Sequence, residues 1–183
     1  MEMNLNIDDA KVILFSDSSM NIGGQELQAL QQMRSLNSLG YRTILLCKPK
    51  SAISVRARSD GIAVQEIPFR NAFHIPSLKQ LFGLVKEKNP VTIFCHGSHD
   101  ALICALVGMV QAFRTGKRAP VFRVKTFQHG YPLSFAYNYL FSGTVIPSYY
   151  LRSRFLVNPA INPNKLRVVY PGIDFSALDS APE

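Results

Sequence analysis

Acidic side chains are missing from a long stretch of this chain: none occurs between Asp100 and Asp174. Cysteine is scarce. Cys47, Cys95 and Cys104 are the only three, each inside an apolar run and none at a metal-ligand spacing. That excludes a disulfide-stapled scaffold and predicts buried thiols in a reducing compartment, with the cytoplasm as the simplest location. No apolar run is long enough to cross a bilayer, and the longest, residues 101–110, reads as a core helix. Residues 1–9 are polar and acidic, so no basic segment leads into an apolar one and no signal peptide is expected. The phosphate-binding patterns G-x-G-x-x-G and G-x-x-x-x-G-K-[ST] are absent as well. The second apolar run ends at Cys47-Lys48 with no acid to hold a ribose, which argues against a dinucleotide-dependent dehydrogenase. Asp17 lacks a second acid two residues later, so a metal-assisted phosphoaspartyl enzyme is not expected either.

What is present is enough for one full core. The chain has 183 residues, 47% hydrophobic and 17% charged, which suits one domain better than two. Its net charge of +8 is unevenly placed. Arg114, Lys117, Arg118, Arg123, Lys125, Arg152, Arg154, Lys165 and Arg167 fall in the acid-free stretch, and Lys48, Lys50, Arg56 and Arg58 form a second cluster. Such an imbalance suits an anionic partner, either a phosphorylated ligand or an acidic membrane surface. A solvated basic surface would give the same composition. Nucleic acid is not expected as a partner, because no recognition motif accompanies the charge.

Apolar runs alternate with helical patterns along the chain. Strands are expected at 11–17, 42–47, 62–67, 91–96, 121–127, 143–147 and 165–169, and helices at 25–39, 51–60, 75–88, 101–114, 133–141 and 148–155. No two strands are joined by a two-residue hairpin turn. The economical solution is α/β: a Rossmann-like, doubly wound, mainly parallel sheet with right-handed crossovers. Ligands in such sheets bind beyond the carboxyl ends of the strands. The loops after Asp17, His96 and Phe127 share that edge and carry three of the four histidines.

The first of these loops ends in Gly23 and Gly24, directly before a helical pattern. Paired glycines let a ligand approach the backbone, and the helix amino end favours an anion such as phosphate. A tight strand-to-helix turn would use the same residues, so both readings stand. His96-Gly-Ser-His99-Asp100 offers three possible ligands in five residues, but nothing further completes a metal site. The same side chains can bond loop backbone or cap the next helix, and no metal is expected. His129 sits between a strand and Gly130-Tyr131-Pro132. There a histidine can donate to a substrate hydroxyl or phosphate, or simply hold its own loop.

Taken in order, these pieces resemble the amino-terminal half of a GT-B glycosyltransferase of the retaining group called glycosyltransferase family 4. The resemblance rests on residues 11–15, Gly23-Gly24-x-Glu26, His96-x-x-His99, Thr126-Phe127-Gln128-His129-Gly130, the helix-opening Ser148 and Val168-Val-Tyr-Pro-Gly-Ile-Asp174. In the last segment Pro171 stands where the family usually has Asn. The resemblance implies transfer of a sugar, with retention, from a nucleotide-diphosphate sugar to a glycan or lipid-linked acceptor, without a metal or other cofactor. It implies that Gly23 and Gly24 lie near the donor phosphates and sugar and that His129 supports the transition state. Glu26, His96, His99 and Asp100 would line the acceptor cleft. Residues 1–170 would be the acceptor-side domain and 171–183 the start of the linker to a nucleotide-binding domain this sequence lacks. The chain alone is therefore not expected to catalyse transfer. The alternative expectation is a non-catalytic α/β domain that binds an anionic ligand or a protein.

Overall fold

The computed structural model describes residues 10–172, apart from Ala72, Arg118 and the Thr115 side chain. Asp174, Arg118 and most of the expected linker therefore lie outside the described residues. Seven strands form one sheet: β1 (Val12–Asp17), β2 (Arg42–Cys47), β3 (Ala63–Glu66), β4 (Thr92–Cys95), β5 (Val121–Val124), β6 (Gly143–Ile146) and β7 (Leu166–Val168). Their order is β3-β2-β1-β4-β5-β6-β7, and every pair is parallel. The reversal between β1 and β4 is the switch point of a doubly wound sheet, and it opens a crevice at the strand carboxyl ends.

Alternate residues of each strand feed opposite cores. Ile13, Phe15, Leu45 and Cys47 pack beneath α1 (Gly24–Ser38) and α2 (Ala52–Ser59). Leu14, Ile44, Leu46, Ile93 and Val121 pack against α3 (Ile75–Lys88) and α4 (Ser98–Thr115). On that second face α5 (Tyr149–Leu156) sets Leu151 and Phe155 on Ile146 and Leu166. Hence α1 and α2 cover only one end of their face. Beside α1, Phe94, Phe122, Val124, Val145 and Val169 line an open apolar hollow of about 500 Å³, and no described residue roofs it.

Some elements differ from the sequence expectation. Helix α4 begins at Ser98 rather than 101, because the Asp100 carboxylate caps it from within its first turn. It is one-sided at its far end, where Phe113 is 94% exposed. Strand β5 stops at Val124, and the helix expected at 133–141 covers residues 134–140, opening as α and widening into a π turn over Ala136–Leu140. Proline at 132 and five aromatics in residues 131–141 leave little to sustain an ordinary α-helix there.

Candidate functional site

Asp100 organises the crevice from below. It is fully buried and accepts from the Ser16 hydroxyl at 2.6 Å, the Ser18 hydroxyl at 2.8 Å and the Gly97 N–H at 3.3 Å. One carboxylate thereby ties β1 to the start of α4. Gly97 owes its identity to this network rather than to its dihedrals: a Cβ there would collide with Asp100 Oδ1 and Ser18 Oγ. Glu26 caps α1 in the same manner, accepting from the Gly23 N–H at 2.8 Å. The amino ends of both helices at the crevice therefore already face a carboxylate of their own.

Above Asp100 lies a cavity of about 500 Å³ whose walls include Asp17, Gly24, Gln25, Glu26, His96 and Arg123. Asp17 Oδ1 accepts from the Ser19 N–H at 2.7 Å, while Oδ2 is buried without a hydrogen bond. Burial pushes its pKa up to about 7, with the like charges of Asp100 and Glu26 adding to the rise and the Ser19 N–H and Gln25 side chain opposing it. His96 is also buried, and burial lowers its pKa despite the nearby Asp100. It is therefore neutral near pH 7. With Nδ1 donating to the Ser16 carbonyl at 3.3 Å, its bare Nε2 is an acceptor with no partner.

The third group is Arg123, on the parity of β5 that also carries buried Val121. Only 7% exposed, it donates from Nη2 to Ser98 Oγ at 3.2 Å and lies 5.9 Å from the Phe141 ring centre. Its Nε has no partner. Lys125, two residues on, places Nζ 5.0 Å from the Phe127 ring centre. Burial and Arg123 together lower its pKa. Among the described residues neither cation forms an ion pair; the four that do occur lie elsewhere, in α1–α2, in α2–β3 and on α3.

Arg123, Lys125 and Phe127 also border a second cavity, of about 370 Å³, on whose wall His129 stands. The His129 ring lies 5.0 Å from that of Phe127. The next residue, Gly130, has φ +64, a left-handed conformation that favours glycine and turns the chain back toward Tyr131. Each sequence candidate thus has a place. Gly24, Glu26 and His96 line the larger cavity, and His129 the smaller one beyond the shared cations. Gly23 is the extended residue before α1 and borders neither. Asp100 is a buried brace. His99, exposed in the first turn of α4, lines neither cavity. Among the described residues no three of His, Cys, Asp and Glu gather closely enough to hold a metal.

Sequence reasoning counted Arg123 and Lys125 only as net charge. The signal was Val-Phe-Arg-Val, where alternation puts an arginine on a core-facing position.

No family model matches the sequence, and no curated protein matches it. Solved structures do match in fold. A glycosyltransferase from Rickettsia africae superposes with a TM-score of 0.75 at 17% identity over 95% of this chain and 47% of its own. HepE of Anabaena, solved in complex with UDP-glucose, gives 0.66 at 16% identity over 90% of this chain and 44% of its own. UDP-GlcNAc 2-epimerase from Neisseria meningitidis gives 0.60 at 13% identity over 86% and 45%. The chain thus spans just under half the length of these proteins. Its all-parallel sheet, opened at the β1–β4 switch point, has the fold of one Rossmann-like half of a GT-B glycosyltransferase.

Proposed function

We propose that the chain is the acceptor-side half of a retaining glycosyltransferase that moves a sugar from a nucleotide-diphosphate sugar to a glycan or lipid-linked acceptor. Residues 1–170 form that half, and a second domain, reached through residues 171–183, supplies the nucleotide site. The observation that carries this reading is the pair of adjoining cavities that share Arg123 and Lys125, two cations with no carboxylate paired to them among the described residues. A buried guanidinium without a counter-ion is costly, so an anionic ligand is the natural complement. Two neighbouring volumes also suit a reaction in which two substrates meet. The solved relatives of this fold include one in complex with UDP-glucose and one bound to UDP-GlcNAc.

In this reading Gly24 leaves open space before the helix end, since a Cβ there would meet nothing within 4 Å. The donor's phosphates approach across it, and Arg123 and Lys125 supply the positive field that Glu26 denies the helix terminus. His129 donates to the reacting sugar or its leaving phosphate. An anionic membrane surface is a partner of the same protein, met either by the basic residues of 114–118 or by those of 48–58.

One observation favours a second stereochemical course. A carboxyl with a pKa of about 7 beside the crevice, Asp17, is suited to taking a proton from an acceptor hydroxyl near neutral pH. Direct displacement would then invert the anomeric carbon.

The test uses the natural full-length protein with a panel of nucleotide-diphosphate sugars, reading release of the nucleoside diphosphate. His129→Ala lowers kcat by about 10²–10³, with unchanged far-UV circular dichroism because the residue is exposed. An unaffected kcat removes His129 from the chemistry, and no release from any donor leaves the anion-binding module as the function. The anomeric coupling constant of the product separates retention from inversion, and only inversion makes Asp17→Asn as damaging as His129→Ala.

A further inference from the structure

The smaller cavity has two chemically different ends. At its inner end stand Arg123 and Lys125, paired with no carboxylate among the described residues, and the guanidinium is nine-tenths buried. Its outer wall is apolar and open to solvent: Phe127, Tyr131 and Leu133 are 54%, 65% and 74% exposed. The same connection continues with Phe135 and Tyr139, also exposed, whose rings pair at 5.5 Å. Five large apolar side chains left in water over thirteen residues are unusual on a surface with no apolar partner. No acidic residue occurs in this connection or anywhere from residue 101 to 173, so nothing in that stretch repels an anion.

From this juxtaposition we infer that the cavity binds an anionic amphiphile, a phosphate ester of a long apolar chain. The phosphate seats on Arg123 and Lys125, and the chain runs out over Tyr131 and Leu133. A free sugar phosphate would leave the apolar wall unused, and an uncharged lipid would bring no anion to the side of Arg123 and Lys125 that faces the smaller cavity, leaving them only the donor's phosphates in the larger one. Only a molecule with both parts fits both ends. The inference rests on the acceptor-side reading above and narrows it: the acceptor is carried on a phosphorylated apolar chain, not on a soluble glycan.

Calorimetry on the natural full-length protein tests this with decyl phosphate below its micelle concentration, inorganic phosphate and decanol as ligands. Decyl phosphate is expected to bind at least tenfold more tightly than either of the other two. Lys125→Gln is expected to weaken decyl phosphate at least fivefold. The exposed pair Tyr131→Ser and Leu133→Ser, made together, weakens decyl phosphate while leaving inorganic phosphate unchanged. Decyl phosphate that binds no better than decanol, or binds both variants as it binds the parent, overturns the inference. Phosphatidylcholine vesicles with and without phosphatidic acid distinguish the source. Lys125-dependent binding to the acidic vesicles assigns the phosphate to a bilayer lipid. Binding to monomeric decyl phosphate alone assigns it to a single-chain carrier. No donor is present in these measurements. A protein that binds decyl phosphate yet turns over no sugar nucleotide refutes the transferase reading alone, and the reverse result refutes this inference alone.

Discussion

Asp17 and His96 lie in the same crevice and respond to pH in opposite senses. The Asp17 carboxyl has its pKa raised in the fold, from 3.8 to about 7, so between those values the folded protein holds a proton that the unfolded chain has released. Its contribution to stability is therefore greatest in acid and falls as pH rises toward 7. Asp17→Asn removes the charge and should raise the melting temperature at pH 8 while changing it little at pH 4. A shift of equal size at both pH values would mean that Asp17 is ionised throughout. His96 is held neutral by burial, so protonation favours the unfolded chain, and stability falls as pH drops through its ordinary value of 6.5. His96→Gln should blunt the loss of melting temperature between pH 7 and pH 5. At this scale the sequence was legible for position and not for partner. His96, His99 and Asp100 look alike as candidates within five residues, yet one lines the cavity, one faces solvent and one braces the loop. Which of them turns inward depends on Ser16 and Ser18, more than eighty residues away in the chain.

At the scale of elements, the helix starts carry the largest single dependencies. The Ser148 hydroxyl accepts from the Leu151 N–H at 3.1 Å, and its loss in Ser148→Ala should cost about 1 kcal/mol in urea unfolding. Asp100→Ala should cost several-fold more, because it strips a buried acceptor from Ser16 and Ser18 and leaves Gly97 N–H without its cap. Gly97→Ala should be similarly damaging, since the added methyl meets Asp100 Oδ1 and Ser18 Oγ, and moving either breaks the hydrogen bond between them. Helices α1 and α3 and strands β1 and β2 were legible from periodicity and from the glycine, proline and asparagine at their ends. In the β5–β6 connection the helix was legible but its widening into a π turn was not, nor the way its aromatics are divided between the Phe155 contact of Tyr137 and the open wall of the cavity.

At the scale of the whole molecule, strict alternation of strand and helix without hairpin turns was enough to indicate a doubly wound sheet, and the observed strand order follows from right-handed crossovers. The cavities were not legible, because they arise where loops from β1, β4 and β5 meet across the switch point. Their basic lining was visible only as an excess of charge. The hollow beside α1 exposes Phe94, Phe122, Val145 and Val169 where a doubly wound sheet would ordinarily be dry. Separated from whatever roofs that face, the 183-residue chain should behave as a sticky colloid. It should brighten anilinonaphthalene sulfonate and scatter more light as its concentration rises, and Val145→Lys should suppress both. Shelf life, expression yield and crystallisability would then be governed by four side chains far from any chemistry.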